Sequence, residues 1–160
     1  MRMRRLRRSW CRGWALAAGI VACANAGATV HRIDETGTSV TQPVVQMQWR
    51  HPAPGHALED ILEATVRVDV RLNLQPWLNR SGRIFLVLAP VMGDRVRARW
   101  VGQGRLLAGS VQSGERTLVY DGIVGPATLT ESLLLTLEAD GETLSQPQNL
   151  QFHFEIEVLP

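Results

Sequence analysis

Chemistry in this chain has few places to happen. His51 and His56 flank a proline-rich stretch and are followed by Glu59 and Asp60. Two imidazoles and a carboxylate are a donor set that zinc accepts. Metal ligands, however, are held at defined spacing by rigid elements. Arg50-His51-Pro52-Ala53-Pro54-Gly55-His56, with two prolines and a glycine, reads as a loop. The expectation is loop histidines, no metal and no cofactor. Glu155 and Glu157 stand two apart and share one face of a strand, a spacing that suits paired acid–base work but also marks the polar face of any amphipathic strand. Asp121, before Gly122, reads as a turn former. Ser81, Ser110, Ser113, Ser132 and Ser145 lie in turns or at strand edges, with no Gly-x-Ser-x-Gly elbow and no His in a suggestive context. His31 falls in a polar lead-in, and His153 on the solvent side of the last strand. No catalytic residues are expected.

Recognition chemistry is better represented. Trp77 follows Pro76 outside any alternation, with Asn79 and Arg80 beside it. Trp and Arg dominate binding hot spots, and an indole can also stack on a sugar. The competing reading is a plug that closes one end of the core. Arg95, Arg97 and Arg99 share one strand face and can receive an acidic partner, or pair with acids on neighbouring strands and protect an edge. Trp49 and Trp100 are expected in the core.

The elements that position these residues are strands. Val66, Val68, Val70, Leu72 and Leu74 alternate with Arg67, Asp69, Arg71 and Asn73, which gives one apolar and one polar face. Arg83 to Ala89 is a continuous apolar run of strand length and reads as a central strand buried on both faces. Arg95 to Val101, Leu106 to Val111, Arg116 to Asp121, Ser132 to Ala139 and Leu150 to Val158 follow, separated by turn signals such as Asp140-Gly141. Val44 to Trp49 reads as a further strand, and Leu58 to Glu63 as a helical turn or a strand start. No long helical pattern intervenes, so a parallel sheet is not expected. The predicted fold is all-β: an antiparallel, Ig-like β-sandwich of about eight strands spanning 44–160, preceded by a polar lead-in over 27–43 with one edge strand near Ser39 to Gln42.

The first 26 residues read differently. Six of the 17 arginines crowd into Arg2 to Arg12; an apolar stretch follows from Trp14 to Ala22, then Ala24-Asn25-Ala26. A basic region, a short apolar region and a small-x-small site make a cleaved secretory signal peptide. Ile20-Val21-Ala22-Cys23 offers a second processing route, lipidation at Cys23. No apolar run approaches the roughly 18 residues of a bilayer span. The formal charge of +2 belongs to the signal: from Gly27 onward 160 − 26 = 134 residues carry 11 Arg and 15 acids, so 11 − 15 = −4. A mildly acidic domain has no electrostatic case for nucleic acid. Both cysteines, Cys11 and Cys23, precede Gly27, so the mature chain has no disulfide.

Arg80-Ser81-Gly82-Arg83-Ile84-Phe85-Leu86-Val87, then Trp100 and Gly102, then Tyr120-Asp121-Gly122 is similar to a β-module of exported bacterial proteins linked to surface pili and adhesion. The resemblance spans Val66 to Gly141 and implies a non-catalytic structural or adhesive role outside the cytoplasm; it transfers no functional residue. The expected function is therefore protein contact in the bacterial envelope: an accessory of a surface filament, adhesion or secretion system. Its partners are other envelope proteins, and a membrane enters only through a lipid on Cys23. The mechanism is strand-edge pairing or a patch around Trp77 and the Arg stripe. The alternative is a small-ligand or glycan-binding module built on Trp77, Asn79 and Arg80.

Overall fold

The computed structural model describes residues 28–50, 61–91, 96–141 and 149–159. Within them the alternating stretches form strands that turn most of their apolar residues to one face. The strands are β1 (Thr29–Arg32), β2 (Ser39–Val40), β3 (Gln48–Trp49), β4 (Ile61–Asn73), β5 (Ser81–Leu88), β6 (Val96–Gly102), β7 (Gly109–Gln112), β8 (Arg116–Ile123), β9 (Thr128–Asp140) and β10 (Phe152–Val158). They make two antiparallel sheets. One has the order β1-β10-β5-β8; the other is β2-β4-β9-β6-β7, with β3 also on the outer edge of β4. The protein is an all-β sandwich.

The second sheet is organised by the valine stripe. β4 and β9 pair along their whole length, from Ile61 opposite Asp140 to Asn73 opposite Thr128. That register puts Val66, Val70 and Leu72 on the same face as Leu129, Leu133 and Leu135. All of these but Val66 meet Ile84, Leu86 and Leu88 of β5 and Phe154 and Ile156 of β10 in one core. A one-residue slip would turn every one of these side chains to solvent, so burial itself fixes the register. β5 is the central strand expected, between β10 and β8. Its outer face is only partly covered: Arg83 is exposed, Phe85 and Val87 half-buried.

The two long sides of the sandwich are closed differently. On one, β7 leaves β6 and a turn at Gly114 (φ 82°) leads into β8 of the other sheet. Leu107 N–H also bonds Val119 C=O at 2.7 Å. On the other side the chain leaves β1, buries Ile33 (2 % exposed) and crosses to β4. Ile33 N–H bonds Phe154 C=O of the first sheet, and Asn73 N–H bonds Asp34 C=O from the second, both at 2.9 Å.

Several expectations are corrected here. The described strands number ten rather than about eight: the lead-in holds β2, where an edge strand was expected, and also contributes β1 and the buried Ile33. The sandwich begins at Thr29, not at residue 44. Val44 to Trp49 keeps only its last two residues as strand, with Val44 89 % exposed. Trp49, on that two-residue edge strand, is 53 % exposed and not a core residue. Trp100 is buried, and its indole N–H donates to Leu107 C=O at 2.8 Å. Asp121 lies within β8 and pairs with Arg83 at 3.5 Å rather than forming a turn. Residues 51–60, with His51, His56, Glu59 and Asp60, lie outside the described residues, as does Ser145.

Candidate functional site

The two ends of the sandwich differ. At the end where β4 finishes and β5 begins, the core is shut: Leu72, Leu74 and Val124 are fully buried. A short 3-10 turn, Gln75–Trp77, lies across it, with Trp77 packed on the core. At the opposite end begin β4, β6 and β10, and Ser113 N–H on Val96 C=O and Gly114 N–H on Leu88 C=O tie the two sheets together on the β6 side. On the β4 side of this end the described residues of the two sheets leave a space. Between them lies a cavity of about 1050 Å³. One wall is the inner face of β4 and β9, with Leu62, Val66, Val68, Leu135 and Leu137. The other is Leu86, Leu150, Phe152 and Phe154. The stretch from Thr38 to Met47 runs along the opening.

Polarity is segregated within the cavity. Every buried residue of its lining is apolar, and among the described residues no polar or charged residue is buried. Of the polar lining residues, Arg32, Gln42, Gln46, Asn149 and Gln151 are exposed and Glu35 and Thr38 are half-buried; together they form the rim. Protein interiors hold few voids larger than a water molecule. At roughly 24 cal/mol per Å³, a sealed void of this size costs on the order of 25 kcal/mol, beyond the ~5–15 kcal/mol net stability of a whole domain. Among the described residues this space is therefore an open one rather than a sealed void.

The extra room has a direct consequence for stability. Ala139 is buried on the cavity wall, whereas Ala98 is buried in the closed core between Leu137 and Val111. Ala98→Leu is expected to cost about 1–3 kcal/mol by overpacking. Ala139→Leu points its added carbons into the cavity and is expected to leave the urea midpoint unchanged or raise it. Equal losses for the two variants would contradict this geometry.

At the rim, Arg32 and Glu35 form a weak pair at 3.6 Å, with side chains 69 % and 26 % exposed. Burial pushes the Glu35 carboxyl above its ordinary 4.5, with Arg32 and His153 pulling the other way. A carboxyl with a raised folded-state pKa contributes stability that is fully present below the unfolded value and lost as pH rises through the folded one. Glu35→Gln is therefore expected to raise the melting temperature at neutral pH, because the exposed Arg32 pair is worth little. The gap should close below the ordinary carboxylate value, and a pH series of melting curves checks it. Asp34 behaves oppositely: Thr36, through its hydroxyl at 2.6 Å and its N–H at 3.0 Å, holds this carboxyl below its usual value.

The residues singled out from sequence lie elsewhere. Trp77 is half-buried, its ring 5.9 Å from that of His31. Asn79 takes the left-handed conformation (φ 59°) and, with Arg80, exchanges backbone bonds of 2.9 Å with Val124. Both side chains are exposed. Arg97 and Arg99 are exposed on the outer face of β6. Arg99 pairs with Glu138, which also pairs with Arg50, itself bonded to Glu63 at 2.8 Å. Arg95, Ala24, Ala26 and Cys23 lie outside the described residues. Arg97 stands opposite Glu138, in the row of Glu63. Trp77 lies past Asn73, 73 − 63 = 10 residues further along β4, or about 33 Å at about 3.3 Å per residue. The structure thus does not join Trp77 and the Arg stripe into one patch.

Of the acids considered for catalysis, Glu157 accepts a bond from Arg116 at 2.7 Å and Glu155 lies 3.8 Å from the same guanidinium, which rests 4.5 Å over the Phe85 ring. His153 is half-buried rather than solvated and lies 3.2 Å from Glu155. Ser113 Oγ accepts the Val91 N–H at 2.7 Å. Among the described residues no three His, Cys, Asp or Glu come together as a metal site, and no helix is long and apolar enough to cross a membrane.

The sequence reading overlooked the cavity, Glu35 at its rim, and Glu131. Glu131 lies on the inner side of β9 beyond the end of β6, where its carboxylate accepts the N–H groups of Gly104, Arg105 and Leu106 at 3.0, 2.8 and 2.9 Å. The Gly102-Gln103-Gly104 spacing was its available signal: a Cβ on Gly104 would stand 2.6 Å from that carboxylate. Set against models of known protein families, curated proteins and solved structures, the chain matches none of them.

Proposed function

We propose that this chain is a non-enzymatic binding module of the bacterial envelope whose site is the apolar cavity between its two sheets. The observation that carries this reading is the segregated lining: aliphatic and Phe side chains inside, polar side chains at the rim. Ligand pockets have this anatomy, and the volume stands at the upper end of their range. Export is supported by the Arg-rich start, the apolar Trp14–Ala22 stretch and the Ala24-Asn25-Ala26 site. The mature module then works in the periplasm or outside the cell, or on a membrane if Cys23 is lipidated. Intact mass separates these cases: a chain beginning at Gly27 is free, one beginning at an acylated Cys23 is anchored.

Binding is tested with a neutral apolar probe whose fluorescence rises out of water, such as N-phenylnaphthylamine. Saturable binding of one probe per mature chain is expected. Val68→Trp, which fills the cavity from a half-buried wall position, should weaken binding by about tenfold or more. No saturable binding by the folded chain would end this reading.

A second reading, an accessory of a surface filament, adhesion or secretion system that works by protein contact, rests on a different observation. Val101 (59 % exposed) and Leu134 (44 %) stand opposite each other on the outer face of the second sheet, next to Arg97 and Arg99. Crosslinking in intact envelopes through a photoreactive residue at 101 tests it, with loss of the crosslinked species on Leu134→Glu as the expected result. A sugar platform at Trp77 has less support, because the indole packs on the core and His31.

A further inference from the structure

We infer that the occupant of the cavity is the alkyl chain of a single-chain lipid with an uncharged, hydrogen-bonding head. This rests on the reading of the cavity as a binding site and names what the site selects.

The backbone around the opening argues against a peptide. An extended segment brings an N–H and a C=O with every residue and needs a free strand edge to satisfy them. Along this cavity most of the described strand edge is used, and what is left free is two short stretches. On β4, β3 covers Leu62 and Glu63, β2 covers Val68 and Asp69, and Arg67 C=O accepts Thr41 N–H. Among the described residues Ala64–Val66 remains on this edge, and Phe152 and His153 remain at the start of β10. On β10, β1 covers Glu155 to Val158, and Ile33 N–H takes the Phe154 carbonyl. What faces the interior is side chain alone, and it is aliphatic on the β4–β9 wall. An alkyl chain needs no hydrogen bonds and matches that wall.

The rim argues for the head. Among the described residues its charges are Arg32 and Glu35, which face each other at 3.6 Å. The remaining polar groups are one hydroxyl and the amides of Gln42, Gln46, Asn149 and Gln151. Amides offer donors and acceptors together, which suits an alcohol or ester head better than a carboxylate or phosphate.

The experiment is displacement of the fluorescent probe from the mature chain by a homologous series of monoacylglycerols, each kept below its aggregation threshold. Burial of each added methylene should tighten binding by roughly two- to fourfold until the cavity is filled. The fatty acid of equal chain length should bind no more tightly at neutral pH. Val68→Trp, shown folded by its far-UV spectrum and melting curve, should lose the chain-length dependence. Displacement that does not depend on chain length overturns the alkyl-chain assignment. Tighter binding of the fatty acid overturns the uncharged head, and equal transfer of a diacyl phospholipid from vesicles overturns the single chain. In each of these results the probe still binds the wild-type chain. Failure of the probe itself is the separate result that removes the cavity as a site.

Discussion

Trp100→Ala lowers the stability of the mature domain by about 3–5 kcal/mol, the range expected for removing a buried aromatic side chain. The indole is 2 % exposed, in the middle of β6, and its N–H satisfies the Leu107 carbonyl at 2.8 Å. It therefore does two jobs: it fills the core between the sheets, and it fastens the segment that leads into β7. The site has no slack for relaxation, since the ring lies against Gly109, where a Cβ would come within 2.9 Å of it. Trp100→Phe keeps most of the apolar volume but leaves the Leu107 carbonyl without its donor, and should fall between the two. Urea unfolding of the three proteins checks the order. A loss under about 1 kcal/mol for Trp100→Ala would contradict the placement of this residue in the core.

Glu131→Ala is the second large effect, expected at about 2–3 kcal/mol. One carboxylate satisfies three consecutive N–H groups of a bend. A hydrogen bond to a charged group contributes about 1.5–3 kcal/mol; here the total is limited because Gly104 and Arg105 are exposed and water replaces part of what is lost. Glu131→Gln keeps one acceptor oxygen and should retain part of the stability. Gly104→Ala should resemble Glu131→Ala, because the added methyl displaces the carboxylate from the bend. Amide hydrogen exchange supplies the local test: exchange at 104, 105 and 106 should accelerate in all three variants beyond what global unfolding explains. Unchanged protection in Glu131→Ala would remove the role assigned to this carboxylate.

Much of the sandwich was legible because period-two alternation records which face is buried. The alternation of Val66 to Leu74 and of Leu150 to Val158 marks β4 and β10 for that reason, although the strands run Ile61–Asn73 and Phe152–Val158, and the central place of β5 is legible too. Local pattern fails where tertiary position decides. Ile33 is a lone apolar residue among polar ones, too little for a periodic signal, yet it sits where the chain crosses between sheets. Trp49 and Trp100 have the same side chain; only the second lies in a long alternating strand with neighbours on both sides, and only the second is buried. Glu131 breaks the apolar phase of β9, so the strand was read as starting after it; the structure continues to Thr128 and uses the break to hold a bend. The cavity was not legible at all. Alternation says that Val66 and Leu137 face inward, but not whether the opposing sheet is there to meet them.

The central claim is that this space is a binding site, and methyl NMR of the mature chain tests it most directly. Addition of a neutral single-chain lipid should shift the methyl resonances of Leu62, Val66, Val68, Leu135 and Leu137, saturating at one molecule per chain. Leu72, Leu74 and Val124, at the closed end, should stay in place. Shifts spread evenly over both ends, or none at all with the domain folded, would contradict the account.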